Sequence, residues 1–333
     1  MYLYGEEKYN IESNYEKALA YINKAVAVKE KAGIRLLGIC YEFGAGVEVD
    51  NKKAFELYSQ AADYGDGIAQ YKMATFYIAG KVVEKNYHEA LNYVNAAVKN
   101  EISQAYELAG DFFYYGMGID RDFKRALDWY QLAAENGEWD AYEPIGNMYM
   151  NGWGVEADGK KATDYFQKGA ELGNIHCLAL LAYCYETGKG VKQDVKKAVE
   201  YYKQVENRDN GYANYSLYRI YRSQEYGLYN ADDAISCLRA AVDKGYAEAV
   251  YLLGMEYFYG DILQQNMEQA KEYILKAAEE EEPTAAAFIG IAYYNNTSFP
   301  IQQDDDKASN IFLLLPPIWE KSNREWLLLS ATV

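Results

Sequence analysis

Gly116-Met117-Gly118 is followed by basic residues and then by a stretch with helical periodicity, FKRALDWYQLAAENG. That order has the ingredients of a phosphate cradle, in which small residues let backbone N–H groups converge on an anion near a helix N-terminus. The same tripeptide pattern recurs as Gly44-Ala45-Gly46, Gly152-Trp153-Gly154 and Gly188-Lys189-Gly190. Each copy follows a helix rather than a strand, and each is trailed by an aspartate, which repels phosphate. We read it as a turn in which glycine caps a helix. Other chemistry is poorly supplied. His88 and His176 fall in different kinds of helix, two repeats and more apart, so neither a metal site nor a Ser-His-Asp triad assembles around them. Carboxylates abound, but no spacing singles out a catalytic pair. The runs Glu279–Glu282 and Asp304–Asp306 read as solvated helix ends or loops. A calcium site at the triple aspartate is the alternative, without the glycine and distal glutamate of an EF-hand.

The elements that carry these residues are helices in a strict repeat. Taking the alanine of FKRAL as an anchor, the same position recurs at Ala18, Ala54, Ala90, Ala126, Ala162, Ala198, Ala234 and Ala270, always 36 residues apart, and a ninth anchor, Ala308, follows after 38. Small residues return fifteen after the anchor (Ala69, Ala105, Ala141, Cys177) and twenty after it (Gly38, Ala74, Gly110, Gly146). An aromatic residue stands at twenty-three, from Tyr41 to Tyr293, and a loop glycine at twenty-six. Each unit is thus two helices: an A helix carrying the later small residues and the aromatic, and a B helix carrying the anchor. Asp or Asn four before the anchor suits an N-cap, and glycine at the tail of the B helix, as at Gly137, suits a left-handed C-terminal cap. Single units cannot bury their faces, so the array is expected to stack into an all-α, right-handed superhelical solenoid. The boundaries read as a partial leading repeat at 1–32, eight two-helix repeats at 33–315, and a C-terminal cap or docking tail at 316–333. The first fourteen residues read as the tail of a further unit.

Composition agrees with a helical array of tight interfaces: only 5 Pro, and 36 Tyr, whose apolar body and polar tip suit packing between helices. A net charge of −17 works against binding nucleic acid or an anionic membrane surface. No run is long enough to insert in a membrane. Cys40, Cys177, Cys184 and Cys237 match no zinc spacing and read as buried or semi-buried thiols, which fits a reducing compartment. No signal-peptide pattern opens the chain, and a cytoplasmic location is expected.

The columns resemble the Sel1-like repeat, a relative of the tetratricopeptide repeat. The stretch from Ala141 to Gly173 carries the resemblance best, through Gly146, Tyr149, Gly152, Gly154, Val155, Asp158, Lys161-Ala162, Phe166 and Ala170. The resemblance implies an adaptor that assembles protein complexes, without catalysis, cofactor or metal. Some secreted members join the small-pair and fifteenth-position columns by a disulfide; here Cys177 faces Ala170, which implies a branch that is not secreted. Two units depart from the pattern by losing both loop glycines, at Gln224 and Tyr226 and at Asn296 and Ser298.

In solenoids of the tetratricopeptide kind the A helices line the concave face. The A-helix positions not committed to packing give a candidate partner surface: Glu42, Phe43, Tyr71, Glu107, Asp111, Tyr114, Tyr115, Glu143, Asn147, Tyr183, Glu186, Tyr215, Arg219, Arg222 and Tyr251. The middle is acidic and the later part aromatic with two arginines. The expected ligand is a protein or peptide with basic groups at the third and fourth units, and with an acidic group or C-terminal carboxylate at Arg219 and Arg222. Polar groove positions are also what solvation alone requires, and some of the tyrosines serve packing between repeats. Groove-borne ligand binding, or hydrolysis of a peptide or cell-wall fragment, is the alternative. The tail, with Trp326 to Leu329, is either a terminal cap or a docking or dimerisation element.

Overall fold

The computed structural model describes residues 14–208, 211–280 and 282–295. The tail at 316–333, the triple aspartate, the ninth anchor and the leading thirteen residues lie outside the described residues. The chain divides into two compact units, Met1–Asn174 and Ile175–Val333. Among the described residues all regular structure is helical.

In the first unit, α1 (Tyr15–Ala27) is a lone B helix. Four A–B pairs follow: α2 (Lys31–Phe43) with α3 (Asn51–Asp63), α4 (Gly67–Ala79) with α5 (Tyr87–Lys99), α6 (Ser103–Tyr115) with α7 (Phe123–Glu135), and α8 (Tyr142–Asn151) with α9 (Gly159–Glu171). A 3-10 turn, Trp139–Ala141, leads into α8. Pro144 then sits in the first turn of α8, where a missing N–H leaves no hydrogen bond unmade. The second unit holds three further pairs: α10 (Ile175–Thr187) with α11 (Val195–Val205), α12 (Tyr212–Arg222) with α13 (Ala231–Asp243), and α14 (Ala247–Tyr259) with α15 (Met267–Glu279). It ends on the A helix α16 (Pro283–Asn295). Within each unit the A helices from α2 to α14 pack most extensively on the B helix that follows them, and α16 packs on α15.

The repeated columns have direct physical causes. The anchor alanines from Ala54 to Ala270 are fully buried, as are the small residues fifteen later, Cys177 included. The residue at twenty must be small because a B-helix side chain rests on it. A Cβ on Gly38 would come within 2.9 Å of the Tyr58 ring, one on Gly110 within 2.6 Å of Tyr130, and one on Gly146 within 2.3 Å of Phe166. Those B-helix residues stand four after the anchor and are among the largest fully buried side chains.

The Gly116-Met117-Gly118 turn obeys the same local demands. Gly116 caps α6 in the left-handed region, at φ 68°, and Asp122 caps α7 by accepting the N–H of Arg125 at 3.0 Å. Gly118, at φ 68°, must in addition stay bare, because a Cβ there would meet the Cβ of Tyr87 at 2.8 Å. In the departing unit α12 ends early in extended Ser223, and Gly227, at φ 64°, supplies the left-handed residue instead.

Candidate functional site

Most of the candidate residues fall in three A–B–A triples, two in the first unit and one in the second. In the first, Glu42 (α2) accepts the Tyr58 hydroxyl (α3) on Oε2, and Lys72 (α4) sits 3.1 Å from its Oε1. In the third, Glu186 (α10) accepts Tyr202 Oη (α11) on Oε2 at 2.8 Å, and Nη1 of Arg219 (α12) lies 3.7 Å from its Oε1. Each is a buried tyrosine bonded to one carboxylate oxygen, with a cation from the next A helix at the other. Burial pushes the Tyr58 and Tyr202 hydroxyls well above the usual tyrosine range, and the carboxylate beside each adds to it. Both therefore stay protonated donors.

The middle triple differs. Tyr130 (α7) donates to Asp111 Oδ1 (α6) at 2.7 Å, again from full burial. No cation follows from α8. Among the described residues no hydrogen bond or ion pair reaches Glu107, and none reaches Asp111 except from Tyr130. A cavity of about 290 Å³ opens here. Its α6 wall is Glu107, Asp111, Tyr114 and Tyr115, and Tyr130 closes its base. Across from them stand Asp140, Glu143, Pro144 and Asn147. Asn174 donates to Asp140 at 3.0 Å. Tyr114 and Tyr115 meet edge to face with ring centres 4.8 Å apart, and Tyr115 is 61% exposed. Burial raises the Glu107 carboxyl from the ordinary 4.5 to about 7, helped by the charges of Asp111, Asp140 and Glu138. Burial also raises Asp111, against the opposing hydrogen bond from Tyr130. Tyr71 (α4) is raised by burial and then by Glu107, Glu138 and Asp111, which places it in the same acidic field.

The sequence-derived surface residues thus divide. Glu107, Asp111, Tyr114, Tyr115, Glu143 and Asn147 come together around one cavity. Glu42 is held by Tyr58 and Lys72, while Phe43 is 66% exposed with the Lys72 ammonium 5.3 Å from its ring centre. In the second unit Glu186 and Arg219 are paired as above, and Arg219 also lies over the Tyr215 ring. Tyr215 donates to Glu248 at 2.6 Å. Tyr183 accepts the Lys189 ammonium at 2.9 Å. Arg222 is committed within the unit: it bonds Glu256, which also accepts from Tyr218, and reaches Asp261 at 2.6 Å. Tyr251 packs against Phe288 and is raised by burial. Sequence reasoning missed Tyr58, Tyr130, Tyr202, Lys72 and Glu256. The available signal was the column four after the anchor, which reads Tyr58, Val94, Tyr130, Phe166, Tyr202 and so carries a hydroxyl in every second repeat. Among the described residues no group of three or more His, Cys, Asp and Glu is arranged to hold a metal ion, and no helix is long and apolar enough to cross a membrane.

Stacked helix pairs with a fully buried small-residue column define an α-helical repeat array. The chain belongs to the Sel1 repeat family: the family model matches residues 1–27, 32–66, 67–100, 104–138, 145–174, 175–204 and 247–281. The departing unit, with its early-ending α12, falls outside those segments. Among solved structures, the chain is similar to c5321, a protective antigen of uropathogenic Escherichia coli with an SLR fold, at 24% identity and TM-score 0.68, over 91% of this chain and 72% of that one. It is also similar to a Sel1 repeat protein from Oxalobacter formigenes, at 32% identity and TM-score 0.63, over 69% of this chain and 94% of that one. Comparison with curated proteins finds no match.

Proposed function

We propose that the protein is a non-catalytic scaffold that holds a protein or peptide partner on its A-helix face. The observation that supports this reading is the division of labour between helices. B-helix columns repeat because packing and capping require them, whereas the A-helix residues left over do not repeat. They include the exposed aromatics Phe43, Tyr115 and Tyr259, of which Tyr115 lines a cavity rich in carboxylates. Large exposed aromatic rings beside polar pockets are what interface anchors are made of. The test is capture from cells of the source organism by the full chain. Phe43→Ala, Tyr115→Ala and Tyr259→Ala together should abolish capture of a partner that Glu56→Ala, Asp128→Ala and Glu200→Ala, on exposed B-helix positions, leave intact. Equal capture by both triple variants would reject the reading.

A second reading, ligand binding or hydrolysis in the groove, draws on one observation. Glu107 is poised near neutrality, where a carboxyl can both give and take a proton. Turnover of peptide or glycan fragments that vanishes with Glu107→Gln would favour it over the scaffold.

A further inference from the structure

We propose that the cavity between α6, α7 and α8 receives the guanidinium of an arginine side chain from the partner, which completes a tyrosine–carboxylate–cation triad that the chain builds for itself in two other places. The proposal rests on the scaffold reading and names the partner chemistry that this reading requires at one point.

The internal repeats are the comparison. In the α2–α3–α4 triple the cation is Lys72, eighteen after its anchor; in the α10–α11–α12 triple it is Arg219, twenty-one after its anchor. The same two columns of α8 hold Pro144 and Asn147, and both line the cavity. The tyrosine and the carboxylate are kept, although Asp111 reaches Tyr130 from one turn earlier than Glu42 and Glu186 reach theirs. In both complete triads the oxygen not bonded to tyrosine faces the cation. At Asp111 that oxygen, Oδ2, has no hydrogen-bond or ion-pair partner among the described residues. What is missing is therefore a cation, and the space for one is present.

Arginine fits better than lysine. Glu107 and Asp111 lie one helical turn apart on the same face of α6 and present two acceptor groups, which suits a planar fork of donors. The rings of Tyr114 and Tyr115 give such a plane something to lie against. Burial and the charges of Asp111, Asp140 and Glu138 hold the Glu107 proton on, Tyr130 and Glu143 line the same cavity, and Tyr71 feels the Glu107 and Asp111 charges. Arg121, the cation that bears on the nearby Tyr114, acts on that ring rather than on Glu107. An entering guanidinium releases the proton, so affinity should rise between about pH 6 and pH 8.

The experiment titrates the full chain with acetyl-Gly-Arg-Gly-amide and with its neutral citrulline counterpart, following the amide resonances of Gly110, Gly116 and Asn147. Saturable shifts are expected with the arginine peptide, about tenfold weaker binding or less with citrulline, and a similar loss in Glu107→Gln. Asn147→Arg places a guanidinium in the column of Arg219. It should fold, melt at or above wild type near pH 8, and no longer bind the probe. Equal binding of arginine and citrulline peptides, tighter binding of the lysine analogue, or wild-type affinity in Asn147→Arg would overturn the proposal. If these fail while the aromatic triple variant still loses its partner, the arginine pocket falls and the scaffold stands. If the aromatic triple variant keeps its partner, the scaffold itself falls.

Discussion

Replacing Glu107 by glutamine removes a charge that the fold resists, and the sign of the effect depends on pH. The folded-state value, about 7, lies above the ordinary 4.5. A carboxyl raised in this way favours the folded state in its protonated form. Its contribution is fully present below about pH 4.5 and is lost as pH climbs through about 7. A rise of that size corresponds to ~3 kcal/mol at face value. The cavity is open to water on one side, and screening reduces this to about 1 kcal/mol. Urea unfolding of wild type and Glu107→Gln near pH 4 and near pH 8 isolates the term, because every other titratable group is common to both chains. The variant should match wild type near pH 4 and exceed it by about 1 kcal/mol near pH 8. A variant no more stable than wild type near pH 8, or a difference independent of pH, would refute the claim that Glu107 is desolvated among like charges.

Other outcomes follow from packing and capping. Gly146→Ala puts a Cβ 2.3 Å from the Phe166 ring and should lower stability by about 1–3 kcal/mol in chemical denaturation, whereas Gly137→Ala, with nothing within 4 Å, should suffer only from its left-handed backbone. Tyr130→Phe deprives Asp111 of its one hydrogen bond among the described residues and should cost about 1–2 kcal/mol in chemical denaturation. Lys29 and Glu101 hold the left-handed position that glycine takes in Gly65 and Gly137, both at φ 57°, so Lys29→Gly and Glu101→Gly should each raise the unfolding midpoint by about 0.5–1 kcal/mol equivalent.

The repeat was legible because each of its columns answers a local demand that recurs every 36 residues. A cap is needed before the B helices, a left-handed glycine after most of the described A helices, and a small residue where an A helix meets the B helix packed on it. Asp50, Asn86, Asp122, Asp158, Asp194, Asn230 and Asn266 all cap in the structure as their spacing implied, and Asn14 caps α1 in the same way. The acidic grouping of Glu107, Asp111, Asp140 and Glu143 was also visible, since A-helix positions sort by simple periodicity. The triads were not. Their partners lie far apart in sequence, as Tyr58 from Glu42 and Arg219 from Glu186, and a buried tyrosine looks like core until its hydroxyl is traced. Arg222 shows the same limit from the other side: an arginine read as free for a ligand carboxylate is held by Glu256 and Asp261, which one repeat of sequence separates from it.

The claim that partners bind the non-repeating A-helix face is tested most directly by photo-crosslinking in cells. A benzophenone amino acid placed at Phe43, Tyr115 or Tyr259, all exposed on A helices, should capture a partner, and the same group at Glu56, Asp128 or Glu200 on B helices should not. Capture from the B-helix positions alone would contradict the account.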